Sequence, residues 1–297
     1  MSDITAIILA YNEEKHIERC INNIKNICSE IYVIDSYSND RTEEVALSLG
    51  AKVLKNKWEN NYAKQFNWGI SNLPKTTDWV LRIDADEYLT DELINEIKVK
   101  LGQLDNTITG VLFERKMIFM DQIMTRGMVK MNMLRLFKYK FGKCEERWMD
   151  EHIVLTEGNT IQFFNYFVDH NLNSLGWWIN KHNGYSIREA IDLLDYEMKL
   201  TNNQLSNNLT ADARVKRDKK NKYVKLPLFW RAFYYFIYRY FFKLGIFEGK
   251  NGFLWHFFQG WWYRTLVDAK VYEIKKHCGN DVFKIKEFIK DNYNIEV

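Results

Sequence analysis

The first hundred residues alternate short, wholly apolar runs with segments of helical periodicity, and few folds accept that pattern. Residues 4–9 form a continuous apolar run of strand length, as a strand buried on both faces of a parallel sheet requires. Residues 14–27 then place Ile17, Cys20, Ile21 and Ile24 at helical spacing. Further strands are expected at 31–34, 52–54 and 79–83, separated by helices at 42–49 and 60–71. A helix at 91–101 follows, with Thr90 as its N-cap. The order β-α-β-α-β implies an α/β fold with a doubly wound sheet.

In such sheets ligands bind beyond the carboxyl ends of the strands. That rule points to Tyr11-Asn12-Glu13, to Asp35-Ser36 and to Asp84-Ala85-Asp86. Asp84 and Asp86, two carboxylates at i and i+2 just past a buried strand, can face one site. Their hard oxygen ligands suit Mg²⁺ or Mn²⁺, which in turn bridge phosphate oxygens. An acidic pair can equally be a solvated loop. Asp35 can accept hydrogen bonds from a nucleobase or ribose, or it can cap the next helix. Asn12-Glu13-Glu14 suits the start of a helix.

Several classes are excluded. No GxGxxG follows the first strand and no GxxxxGK[ST] occurs, which disfavours a dinucleotide dehydrogenase and a P-loop NTPase. No Ser or Cys sits in a nucleophile-elbow context. The formal net charge of +3 over 297 residues is too small to argue for nucleic acid. Cys20, Cys28, Cys144 and Cys278 have no CxxC spacing, so free thiols in a reducing cytosol are expected. The first residues lack the pattern of a signal peptide.

The stretches ILAYNEEKHIERCI, YVIDSYSNDRTEEVA, AKQFNWGI and WVLRIDADEYL, in that order, resemble glycosyltransferase family 2, which has a GT-A fold. Within the family the chain most resembles the branch of lipopolysaccharide-core β-glucosyltransferases. The resemblance implies that Tyr11, Glu13 and Asp35 hold the base and ribose of a nucleotide sugar. It puts Lys64 and Asn67 near the nucleotide or its phosphates, and Asp84 and Asp86 on a divalent metal, Mg²⁺ or Mn²⁺. The segment Trp148-Met149-Asp150-Glu151-His152 lies where the family carries its catalytic base, so Glu151 or Asp150 is the candidate. His170, in VDHN, is a candidate third metal ligand. The Gln-x-x-Arg-Trp of processive members is absent, and Lys181 lies where a diphosphate contact is expected. Arg126 and Arg135 are candidate contacts to an anionic acceptor. The implied chemistry is inverting transfer, probed against two rivals: a nucleotidyltransferase, whose basic Gly-rich loop YNEE does not supply, and a non-catalytic glycan- or lipid-binding scaffold.

Beyond a charge-dense stretch at 212–222 the composition changes. Residues 226–247 and 252–264 are crowded with aromatics, interrupted by Arg231, Arg239 and Lys243. The cations rule out 18 consecutive apolar residues and so a membrane span. On one continuous helix the three fall within about 120° of one another. This pattern predicts a GT-A catalytic domain at 1–222 and, at 223–297, a helical segment that associates with a membrane surface. The protein is then peripheral on the inner face of the bacterial plasma membrane, where lipid-linked glycan acceptors are made.

Overall fold

The computed structural model describes residues 3–128, 130–145, 151–201, 218 and 222–297. At its centre lies β1 (Ile4–Ala10), parallel to both β2 (Glu30–Asp35) and β4 (Trp79–Arg82). β3 (Lys52–Lys55) extends the sheet beyond β2. On the other side β4 pairs antiparallel with β8 (Met131–Lys138), and the order continues β6 (Ile108–Phe119), β11 (Asn159–His170), β5 (Glu87–Leu89). The hairpin strand β7 (Gln122–Met124) pairs with β6. β9 (Gly142–Cys144) and β10 (Ile153–Leu155) form a separate two-stranded ribbon.

Both faces of the sheet are covered, which explains the unbroken apolar runs. Successive side chains of β1 point to opposite faces. Ala6 and Ile8 pack with Ile17, Ile21 and Ile24 of α1 (Ile17–Ile24) and with Leu93 and Ile97 of α4 (Asp91–Lys100). Ile7 packs with Ala63 and Phe66 of α3 (Tyr62–Ser71) and with Phe137 and Cys144. The expected cap forms, the Thr90 hydroxyl accepting from Leu93 N at 3.3 Å; the Asn61 side chain likewise caps α3, accepting from Lys64 N at 2.9 Å. α1 begins three residues later than the periodicity predicts. Asn12 adopts a left-handed φ of 57°, and the chain turns once more before the helix starts.

α5 (Leu175–Met198) does not pack on the sheet alone. Ile187, Ile191 and Leu194 share a core with Val267, Val271 and Ile274 of the helix Tyr263–Cys278 and with Ile285 and Ile289 of the helix Val282–Tyr293. This core cuts across the expected boundary, of whose residues 212–222 only Asp218 and Lys222 are described.

The single helix expected over 226–247 is broken. A helix at Trp230–Ile237 passes into a π-helical turn at Tyr238–Phe242 and ends at Leu244, which has φ of 61°. Gly245 follows against His256, where an added Cβ would lie 2.3 Å from Nε2. The shared cationic face is not formed either. Arg231 is buried and paired with Asp268, and the Arg239 Nε donates to the Gly127 carbonyl at 2.8 Å. Of the three cations only Lys243 faces solvent. No helix among the described residues is long and apolar enough to cross a membrane.

Candidate active site

The loops after β1 and β2 are stitched together at the carboxyl edge of the sheet. Asn12 N donates to the Ser38 hydroxyl at 2.9 Å, and the Asn12 side-chain carbonyl accepts from Asn39 N at 2.9 Å. Tyr11 stands 58% exposed beside them. Asp35 is different from its expected role: its carboxylate is fully buried and accepts from Ser38 N at 3.0 Å and from the Ser38 hydroxyl. It shapes the loop from within. Glu13 takes a hydrogen bond from His16 Nδ1 at 2.6 Å. His16 Nε2 accepts from Leu172 N at 2.9 Å, which fixes the tautomer and ties the first loop to the chain beyond β11.

The acidic centre is built around β4. The Arg82 Nε donates to the Tyr62 hydroxyl at 3.0 Å, and that hydroxyl donates to Asp84 Oδ1 at 2.7 Å. Burial works to raise the Asp84 carboxyl, but Arg135, Arg82 and the Tyr62 hydroxyl outweigh it and hold it at about 2. Arg135, expected to meet an acceptor, is buried and points inward. Its Nη2 lies 2.5 Å from Glu87 Oε1 and 3.5 Å from Asp84 Oδ2, so it is the internal counter-ion of the acidic loop. Glu87 also accepts from Asp84 N at 2.9 Å, closing the turn that presents Asp84 and Asp86. Asp86 is oriented by Asn171, whose Nδ2 donates to Oδ2 at 3.0 Å, while Arg19 Nη2 and His170 N donate to its carbonyl at 3.1 and 2.9 Å.

Two groups on later elements meet this pair. Lys181 projects from α5, with its ammonium 4.7 Å from the Trp177 ring centre. Burial disfavours its charge, yet Tyr185, Asp86, Glu13 and Asp169 together raise its pKa. The sequence reading passed over Asp169. Burial, reinforced by Asp86, pushes its carboxyl up to about 6, against the pull of Arg115, 3.6 Å away, and of Lys181. Its signal was in VDHN, but its place in the site depends on β11 running antiparallel to β5, where Asp169 faces Glu87.

Two oxygen donors for a divalent cation are therefore in place. Asp84 is ionised, and Asp86 carries one oxygen committed to Asn171. The donor chemistry fits Mg²⁺ or Mn²⁺, with phosphate oxygens completing the shell. His170, the candidate third ligand, has its Nδ1 3.2 Å from Arg19 Nη1 and its Nε2 3.7 Å from the exposed Asp121. Among the described residues no three His, Cys, Asp or Glu side chains are grouped to hold a metal.

The remaining candidates divide. Asn67 is spoken for at both ends: its Nδ2 donates to the Cys144 carbonyl and its Oδ1 accepts from Cys144 N, each at 2.8 Å. It braces β9. Lys64 is exposed and pairs with Glu59 at 3.3 Å. Arg126 is exposed over the Phe247 ring, 5.4 Å from its centre. Asp150 lies outside the described residues. Glu151, just before β10, is among the charges acting on the Cys144 thiol. Burial pushes that thiol up to about 12, Arg82 opposes, and Glu151, Glu145 and Asp84 add to the rise. Glu151 is thus on the β9–β10 side of the acidic centre.

Residues 5–167, more than half of the chain, match the family described as Glycosyl transferase family 2. The chain belongs to glycosyltransferase family 2. Its mixed sheet is the GT-A fold that the four motifs imply. This glycosyltransferase is 32% identical over 221 residues to an uncharacterized glycosyltransferase of Rickettsia typhi, covering 69% of this chain and 73% of that one. It is 31% identical over 210 residues to one of Rickettsia bellii, covering 67% and 70%. Among solved structures it is similar to glucosyl-3-phosphoglycerate synthase of Mycobacterium tuberculosis in complex with Mn²⁺, UDP and glucosyl-3-phosphoglycerate, at 23% identity and a TM-score of 0.33. That likeness covers 39% of this chain and 44% of the synthase, less than half of either.

Proposed function

We propose that this glycosyltransferase transfers a hexose from a nucleotide-diphosphate sugar, UDP-linked, to a lipid-linked, lipopolysaccharide or capsule glycan acceptor, with inversion at the anomeric carbon. The observation that carries the reading is the acidic turn of Asp84 and Asp86 at the carboxyl edge of the sheet, with the ammonium of Lys181 on α5 near enough that its charge lowers the Asp84 pKa and Asp86 raises its own. Carboxylates alone would repel a diphosphate. A cation held by those carboxylates, facing a lysine, accommodates one.

Tyr11, exposed at the end of β1, offers an aromatic face to the nucleobase. Glu13, anchored by His16, reaches the ribose side of the same loop. Lys181 balances the negative charge that gathers on the diphosphate as it leaves. Asp84 and Asp86 would hold Mg²⁺ or Mn²⁺, which would supply Lewis-acid stabilisation of the same leaving group. Glu151, or Asp150 beside it, takes the proton of the acceptor hydroxyl. The hydroxyl oxygen bonds to the anomeric carbon as the bond to the diphosphate oxygen breaks on the opposite face. One displacement converts an α-linked donor into a β-linked product.

The test compares donor turnover and product configuration for the wild type and Asp86→Ala. Loss of most turnover in the variant, with its melting temperature kept, supports the reading. Equal turnover would sink the cation assignment. A product that retains the donor's configuration would sink the single displacement.

A further inference from the structure

We propose that the face formed by residues 222–253 seats on an anionic lipid bilayer beside the cleft. This segment exposes large apolar side chains: Trp230 and Tyr234 are each 60% exposed, Phe247 68% and Phe242 75%. Leu244 and Ile246 lie exposed between them. Contiguous apolar exposure of this kind marks an interaction surface, and Trp and Tyr favour the level of lipid headgroups.

The exposed charges within residues 222–253 have one sign. Lys222, Lys225, Lys243 and Lys250 are exposed, and Arg126 lies over Phe247 from the neighbouring loop. The single carboxylate in the segment, Glu248, is turned inward, where it accepts from Thr125 N and Arg126 N at 2.5 and 2.7 Å. Arg231 and Arg239 are also withdrawn into the fold. What remains outside is an aromatic surface rimmed by lysines with no exposed acid among them. Lys243 lies 5.7 Å from the Tyr238 ring centre, with its stem along the apolar surface and its ammonium free to meet a headgroup. An open groove of about 550 Å³ lies in the same face, lined by Tyr240, Ile246, Phe253 and Leu254 with Lys250 at its edge.

This arrangement selects a bilayer over a second copy of the chain. A two-fold contact would bring the four lysines of each copy together, against one exposed carboxylate of the neighbouring loop, Asp121. Anionic headgroups supply the missing charge. The face also adjoins the cleft: Asn251 Nδ2 donates to the Met120 carbonyl at 3.1 Å, and the next residue, Asp121, faces His170. A membrane-borne acceptor would thus arrive at the side of Asp86 and Asp169. The proposal does not depend on the donor or on turnover.

The experiment is flotation of the full chain with phosphatidylcholine vesicles, with and without phosphatidylglycerol. The wild type is expected to float with the phosphatidylglycerol vesicles and to be released by salt. Lys243→Gln with Lys250→Gln should weaken that binding by about tenfold or more, as two cations near an anionic surface predict. Phe242→Asp with Phe247→Asp should abolish it at an unchanged melting temperature, because both side chains are exposed. As a readout independent of variant folding, bromine-labelled lipid should quench the wild-type tryptophan fluorescence, and less so in Trp230→Phe. Wild-type protein that stays unbound overturns the proposal. So does a dimer in solution that the two Phe→Asp changes split, since the face would then be covered by a second copy.

Discussion

Replacing Arg135 with Met removes the one cation that contacts both carboxylates of the acidic turn. Arg135 lies 2.5 Å from Glu87 and 3.5 Å from Asp84, and it is 2% exposed. Breaking a buried pair by deleting one partner typically costs about 3–5 kcal/mol, because the other charge is left without compensation. For a chain of this length that corresponds to a fall in melting temperature on the order of 10 °C. The pH dependence follows from Asp84. Its folded carboxyl sits at about 2, below the ordinary 3.8, so its ionised form contributes stability above 3.8 that is lost as pH falls through about 2. Without Arg135 the carboxyl rises and much of that contribution disappears. The deficit of the variant should therefore be largest near neutral pH and shrink under acid, where protonation of Asp84 relieves the uncompensated charge. Urea unfolding at neutral and acidic pH measures both effects, and Glu87→Gln in the Arg135→Met background should restore part of the loss. A variant as stable as the wild type, with only a raised KM for the acceptor, would refute the counter-ion role and restore the expectation that Arg135 binds substrate.

Two further outcomes follow from the same structure. Burial holds both His182 and His256 at about 4, below the ordinary 6.5, so each favours the folded state only while neutral. That stability is complete above about pH 6.5 and is lost as pH falls toward 4, on the order of 2–3 kcal/mol per residue by linkage; urea midpoints that do not move over this range would contradict it. Asn67→Ala leaves the Cys144 amide and carbonyl without their partner, which costs about 1–3 kcal/mol. Its effect should fall on melting temperature and turnover with donor affinity unchanged, whereas loss of nucleotide affinity in a titration would return Asn67 to the donor site.

The first half of the fold was legible because it is local. β1, β2 and β4 are each built on a mainly apolar run, each helix carries its own periodicity, and Thr90 capped its helix as expected. The rule that ligands gather at carboxyl ends of strands directed attention to Tyr11, Asp84 and Asp86, and the structure sets Tyr11 just past β1 and the two aspartates just past β4. What surrounds them was not legible. Arg135 and Asp169 enter through β8 and β11, and nothing in their neighbourhoods in sequence says that the sheet runs β4-β8-β6-β11-β5. Asp35 and Asn67 have residue types suited to ligands, but their hydrogen bonds to Ser38 and Cys144 are visible only in three dimensions. In the C-terminal segment, composition read the aromatic surface correctly and misread the cations. Helical spacing presumed one continuous helix, while the break at Leu244 and the partners Asp268 and Gly127 turn Arg231 and Arg239 inward.

The most direct test of the account is nucleotide release from a panel of nucleotide sugars by the full chain, with Mn²⁺, Mg²⁺ or EDTA and a membrane extract as source of acceptor. Release is expected from one UDP-sugar, dependent on the cation and lost in Asp86→Ala. Release that persists unchanged in EDTA, or none from any donor with the extract present, would contradict it.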